Sequence, residues 1–446
     1  VSIRVINVGL LAGLVALLGA GAVAAAGPLQ PADVLVLAAR GSEAAVVAAA
    51  DSQAAAAGVR RAQAWWWPTV SLAGTYTTRD HPQEVAAGPL VFPMGQQSNG
   101  QYQLELREIL WAGGRRPLAV RASRRLADAA VQQGRHGIQQ AQLAALEAYV
   151  QAISLSRRVA VVDSRLAALR AHLRTVRDLY DQGLVARNDL LETEVRVQEV
   201  ADARVALLDR RAVAVARLNQ LLGRDPAAPL TLPDSLPAPP VLADSLDALR
   251  AGLARANAAV RAAAAGREAA ALDVRVARRS AWPVLFLSAS HSWLENDALV
   301  HPHVNALAVG VSWDLFDGGV RRAEVSRAEA RLTAAERARL EVERAAAVAL
   351  EDAWRRWRQA RREERTARRN VAAAEENLRI VEDQYRQGVA RSNDVLDAEA
   401  LLADSRFRVV DKHHDAYLAQ ARLLVAAGRD LVAFYATGSQ QGSSER

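Results

Sequence analysis

The sequence has no cysteine in 446 residues, which excludes disulfides, cysteine-based metal sites and lipidation of an N-terminal cysteine. Lysine is nearly missing too: Lys412 is the only one among 56 basic residues, so the net charge of +7 rests on arginine. A basic balance can signal nucleic acid. Here the arginines alternate with acids along helix faces, as in Arg361-Arg-Glu-Glu-Arg365, and no basic tract is interleaved with aromatics. Nucleic acid is not an expected partner. The sequence also lacks a Ser/His/Asp set, a phosphate-cradling glycine loop and paired carboxylates in a globular pocket, so no enzyme and no cofactor are expected. His291, His301 and His303 fall in or beside one loop, but Pro302 separates the last two and no third ligand is in register. No metal site is expected.

What the chain does have is itself, twice. Tyr180-Asp-Gln-Gly-Leu-Val-Ala-Arg-Asn-Asp-Leu-Leu191 returns as Tyr385-Arg-Gln-Gly-Val-Ala-Arg-Ser-Asn-Asp-Val-Leu396, at an offset of 205. The same offset relates Leu110-Trp-Ala-Gly-Gly to Leu315-Phe-Asp-Gly-Gly, and Gly223-Arg-Asp to Gly428-Arg-Asp; Trp67-Pro68 and Trp282-Pro283 stand 215 apart. Most of the chain is therefore an internal duplication, which overrides a domain count taken from length.

Before Tyr180 the apolar residues step by fours and threes from Ile138 through Ala145, Ala152, Leu155, Val162, Leu169 and Val176. That is a heptad seam, and it implies long helices in left-handed contact with neighbours. A helix from Gly114 to Asp181 would reach about 100 Å. Gly183 can end it in a left-handed cap, and Asn188 or Asp189 can cap the next helix. Pro31 to Ala64 reads as a further helix, stopped by Trp65-Trp-Trp-Pro68.

Two strand pairs flank these helices. Thr69–Thr78 and Tyr102–Arg107 alternate around a polar loop, Arg79–Gly100. Val284–Trp293 and Leu307–Leu315 repeat the pattern, with one apolar face bearing an aromatic near each end and one face small and polar. Strands of about ten residues with that pattern suit the lipid face of a membrane barrel. Four cannot close one, so the chain is expected to oligomerise. The run from Val5 to Ala26, ending Ala22-Val-Ala24-Ala-Ala26, reads as a cleaved secretory signal; a membrane anchor is the alternative.

A doubled unit of strand hairpin, Leu-(Phe/Trp)-x-Gly-Gly, helical hairpin and Tyr-x-x-Gly turn, behind a signal, resembles the TolC-like outer-membrane efflux family over residues 31–430. The resemblance implies a mainly α fold with a β-barrel: a homotrimer whose twelve strands form one outer-membrane barrel, continued by a twelve-helix periplasmic α-barrel. It implies an exit duct in a Gram-negative outer membrane, passive, serving tripartite efflux or type I secretion. Its partners would be outer-membrane lipid, a periplasmic adaptor and an inner-membrane transporter. By position, Asp394 and Asp397 would line the pore constriction. Asp189 and Tyr385 would match a closing latch at the periplasmic tip, with Glu192 adding charge. The family's latch arginine falls at Ala390 here, with Arg391 one residue later. Gly183-Leu184-Val185 and Gly388-Val389-Ala390 would be the adaptor-docking tips. The competing reading is a periplasmic coiled-coil structural or adaptor protein without a pore.

The expected organisation is a signal peptide (1–26), a first repeat (27–225, with strand hairpin 69–112 and helical hairpin 114–224) and a proline-rich linker (226–245). A second repeat follows (246–430, with hairpins 284–316 and 319–430), then a C-terminal tail (431–446) disordered at its end. The substrate is not legible, because a wide tunnel needs no specific pocket.

Overall fold

The computed structural model describes residues 28–441, apart from 83, 94, 297 and 298. The segment read as a signal peptide lies outside the described residues, as do 442–446.

Two helices of 67 residues set the scale: α3 (Arg115–Asp181) and α7 (Val320–Arg386). Each runs about 100 Å at 1.5 Å per residue. Their partners are shorter and stack end to end along them. In the half nearer the turns, α4 (Arg187–Leu221) packs on α3, and α8 (Ser392–Ala426) packs on α7 and α3. In the other half, α2 (Glu43–Ala64) and α6 (Ala258–Arg278) take over, so the helices lie side by side as α2, α3, α6, α7. The heptad positions face inward: Ala145, Ala152, Leu155, Val162, Leu166, Leu169 and Val176 are buried on α3, and Leu350, Trp357, Ala360, Ala367 and Ala374 on α7. Each buried leucine contributes about 1.5–3 kcal/mol.

The first helix is not continuous, contrary to the reading of Pro31–Ala64 as one element. It breaks into α1 (Pro31–Gly41) and α2, where the Ser42 hydroxyl accepts the Ala45 N–H. The cause is tertiary. The Gly41 backbone lies on the turn after α4, where a Cβ at Gly41 would stand 2.4 Å from Leu222 O. The second copy repeats the device: α5 (Leu246–Ala256) and α6 meet at Asn257, whose side chain caps α6, and Gly428 packs there.

The strands form one antiparallel sheet in the order β1 (Thr69–Thr78), β4 (Ser98–Trp111), β5 (Val284–Leu294), β6 (His303–Ser312). The β4–β5 ladder, Gln101↔Leu294 to Trp111↔Leu285, joins the two copies and carries an irregularity between Ile109 and Trp111. The register puts Val70, Leu72, Leu104, Leu106, Leu287, Leu307 and Val309 on one face. Ser71, Gln103, Glu105, Arg107, Ser288 and Ser290 share the other. The polar loop 79–100 holds a small hairpin that its composition hid, β2 (Glu84–Ala87) with β3 (Leu90–Pro93).

The densest core lies at mid-height, where α1 and α9 (Leu431–Gln441) cover α3 and α8. There the Tyr149 hydroxyl donates to Leu29 O at 2.8 Å, and Tyr417 and Tyr435 stack at 5.6 Å. The expected C-terminal tail is thus a helix as far as Gln441, because Leu431 and Tyr435 have a core to enter. Residues 226–245 form no helix or strand; Gln420 Nε2 and Asn219 Nδ2 donate to Pro240 O and Ala228 O.

Candidate functional site

The two turns furthest from the sheet have one backbone design. Gly183 (φ 71°) and Gly388 (φ 73°) take the left-handed conformation. Leu184 N–H then donates to Leu179 O, and Val389 N–H to Gln384 O, each at 2.9 Å. These bonds satisfy carbonyls that a helix end leaves open. Glycine bears such a φ without the cost a Cβ imposes. Each turn then presents one aliphatic side chain to solvent: Leu184 is 67% exposed and Val389 74%. Val185 and Ala390 beside them are half-buried.

The cap assignments differ from the sequence reading. The N-cap of α4 is Ala186, without a side-chain bond, and Asp189 lies inside the first turn, its carbonyl taking the Thr193 hydroxyl at 2.7 Å. In α8 the N-cap is Arg391, and the Asp394 carboxylate accepts the Arg391 N–H at 2.8 Å. Asp394 thereby serves the helix terminus while staying exposed. It begins a row along the exposed face of α8 that continues through Asp397, Leu401, Asp404 and Arg408. Glu192 is half-buried in the first turns of α4.

Behind the turns, α3, α7 and α8 meet in a polar cluster. His172 Nε2 and Ser392 Oγ are 3.0 Å apart, and the His172 ring sits 5.2 Å from that of Tyr385. Burial pushes the imidazole pKa down, favouring the neutral ring. Burial raises the Tyr385 hydroxyl pKa and the Asp189 carboxylate raises it further, while the neighbouring Ser392 side chain opposes. Asp189 and Tyr385 are therefore within electrostatic reach of each other but not bonded. The Arg391 guanidinium joins neither of them: its contribution to the turn is its backbone.

Two helical turns above Ser392 comes a residue the sequence reading passed over. Glu399 is 7% exposed, on the face of α8 that meets α3 and α7. Burial raises its carboxyl pKa, Glu382 raises it further, and Arg165 and Arg406 oppose. Ser392 and Glu399 are seven residues apart on α8, and Arg165 and His172 seven apart on α3. A polar residue recurring at heptad spacing inside an apolar seam was the available signal. Among the described residues no group of three His, Cys, Asp or Glu could hold a metal. His291 and His303 stand in strands, their rings stacked at 5.6 Å.

Comparison with known proteins gives one answer. The sequence matches the profile of the outer membrane efflux protein family over residues 35–224 and 251–429. It is 32% identical over 339 residues to Protein CyaE of Bordetella pertussis, covering 72% of this chain and 68% of that one. It is 25% identical over 343 residues to outer membrane efflux protein BepC of Brucella suis, covering 75% and 73%. The fold superposes on the outer membrane protein VceC of Vibrio cholerae with a TM-score of 0.75 at 20% identity, covering 90% of this chain and 96% of that chain.

Proposed function

The chain belongs to the outer membrane efflux protein family, and on that premise we propose that it is the passive exit duct of a tripartite efflux or type I secretion system. The observation that carries the reading is the four-stranded sheet. Its apolar face is exposed and its two outer edges, β1 and β6, have no partner strand among the described residues. Such a sheet is unstable in lipid unless neighbouring copies pair its edges. Three copies give twelve strands, enough for a closed barrel, and the helices below them give a twelve-helix tunnel through the periplasm. No helix among the described residues is long and apolar enough to cross a membrane, so in this reading the strands alone span the outer membrane.

The duct is built from the two repeats, 27–225 and 246–430, joined by the 226–245 connector, and is delivered by the signal at 1–26. Asp394 and Asp397 line the periplasmic constriction, where rings of carboxylates favour cations. Asp189, Glu192, Tyr385 and Arg391 border the mouth, the latch resting on Asp189 and Tyr385. The tips 183–185 and 388–390 receive a periplasmic adaptor, which connects an inner-membrane transporter. The duct performs no chemistry and transport is driven by that transporter.

Planar-bilayer conductance tests this. Wild type should show a small cation-selective conductance, and Asp394→Ala/Asp397→Ala should weaken the selectivity. A folded, assembled protein that never conducts would sink the duct and favour a periplasmic structural or adaptor role. Conductance with unchanged selectivity would remove the two aspartates from the constriction.

A further inference from the structure

Between α2, α3 and α6, just below the sheet, lies an open cleft of about 750 Å³ lined by Arg121, Arg124, Arg125, Arg267 and Arg275. Only two carboxylates line it, Asp128 and Glu268. Arg125 is paired with both, at 3.2 and 2.9 Å, and Arg267 reaches Glu336 at 2.7 Å. The guanidiniums of Arg121, Arg124 and Arg275 meet no carboxylate among the described residues, and all three are exposed. An unpaired cluster of this kind is complementary to anions.

Chain chirality decides which side of the wall the cleft is on. Arg79 N–H donates to Gln97 O in register with the β1–β4 ladder, so odd residues of β1 bond to β4. In an upward-running strand of L-residues, a side chain facing the viewer sends its N–H and C=O to the right. The odd residues are the polar ones. From the apolar side, with the hairpin loops uppermost, β4 therefore lies left of β1, and the helices run α2, α3, α6, α7 from right to left. Gly134 abuts Ala48 of α2 and marks the right flank of α3. Counting back at about 100° per residue around a right-handed helix heading downward, Arg121 and Arg124 turn toward the viewer and Leu126 turns away. The arginines thus continue the apolar face.

Their depth is also fixed. Trp67, Trp111, Trp282 and Trp313, all exposed, stand at the helix-side ends of the strands, where aromatic belts mark the membrane interface. Arg121 and Arg124 lie about 9 and 14 Å into α3. That is one arginine side chain's reach from the headgroup layer. We propose that this cleft seats the phosphate headgroups of anionic glycerophospholipid from the periplasmic leaflet, through Arg121, Arg124 and Arg275. Planar guanidiniums bind phosphate oxygens in pairs. The inference rests on the outer-membrane reading above.

The test is native mass spectrometry of the full chain, purified in detergent doped with phosphatidylglycerol. Wild type is compared with Arg121→Gln/Arg124→Gln/Arg275→Gln, and inorganic phosphate serves as a competitor. At about fivefold in affinity per surface arginine, the variant should hold phosphatidylglycerol at least about tenfold more weakly. Equal retention by both proteins would overturn the proposal. So would displacement of the lipid by millimolar inorganic phosphate, which would mark a simple anion site. Both proteins should conduct alike in planar bilayers; absence of conductance in wild type would instead sink the duct reading.

Discussion

Gly428 and Gly388 hold almost the same backbone angle, φ 72° and 73°, yet substituting alanine should affect them very differently. At Gly388 nothing lies within 4 Å of an added Cβ. Its cost is the left-handed conformation alone, about 1–2 kcal/mol, less about 0.4–1 kcal/mol for the stiffer unfolded chain. At Gly428 the Cβ would stand 2.5 Å from Ala256 C and from Asn257 N, both backbone atoms with no rotamer to change. Relief needs the turn to move by roughly 1 Å, which would stretch the bonds anchored there, Asn257 Nδ2 to Ala426 O and Arg429 N–H to Leu424 O. A backbone shift of that kind adds about 1–3 kcal/mol. Gly388→Ala should therefore cost about 0–1.6 kcal/mol and Gly428→Ala about 1–3 kcal/mol more than that. Denaturant unfolding of the purified protein in detergent, followed by far-ultraviolet circular dichroism, measures both. Equal costs within about 0.5 kcal/mol would refute the claim that helix-break packing, rather than φ, sets the penalty. Gly223, whose Cβ would meet Gly41 O at 2.2 Å, and Gly183, with open space, should repeat the contrast in the first copy.

Other outcomes follow from the same structure. Glu399 has a raised carboxyl pKa in the fold, so its contribution to stability is fully present below the unfolded value of about 4.3 and is lost as pH rises through the folded one. Glu399→Gln should remove that fall, making the protein about 1 kcal/mol or more stabler at pH 8 and its pH–stability profile flatter; an unchanged profile would place the carboxylate in solvent. Tyr149→Phe leaves Leu29 O without its buried donor and should cost about 1–2 kcal/mol in the same unfolding assay. On the proposed duct reading, Leu184→Asp with Val389→Asp should leave conductance unchanged while abolishing co-purification with the proposed periplasmic adaptor. Adaptor binding that survives would move the docking surface away from the tips.

The duplication, the heptad seam and the period-two strands are local and repetitive, so sequence alone determined the long helices, their turns at Gly183 and Gly388, and the two-faced sheet. Periodicity records which side of an element is buried, and no tertiary information is needed to read it. It does not record what meets a backbone. The break at Gly41–Ser42 arises from contact with Leu222, far away in sequence, and helix α9 from the core that Leu431 and Tyr435 enter. The cap of α4 likewise fell on Ala186 rather than on Asn188 or Asp189, where the turn closed by Leu184 N–H to Leu179 O hands the chain to the helix. Glu399 was legible as a polar position in the α8 seam, whereas the arginine cleft was hidden for a related reason: it depends on three helices converging. Chain order left those relations open, and the packing of long helices against one another decided them.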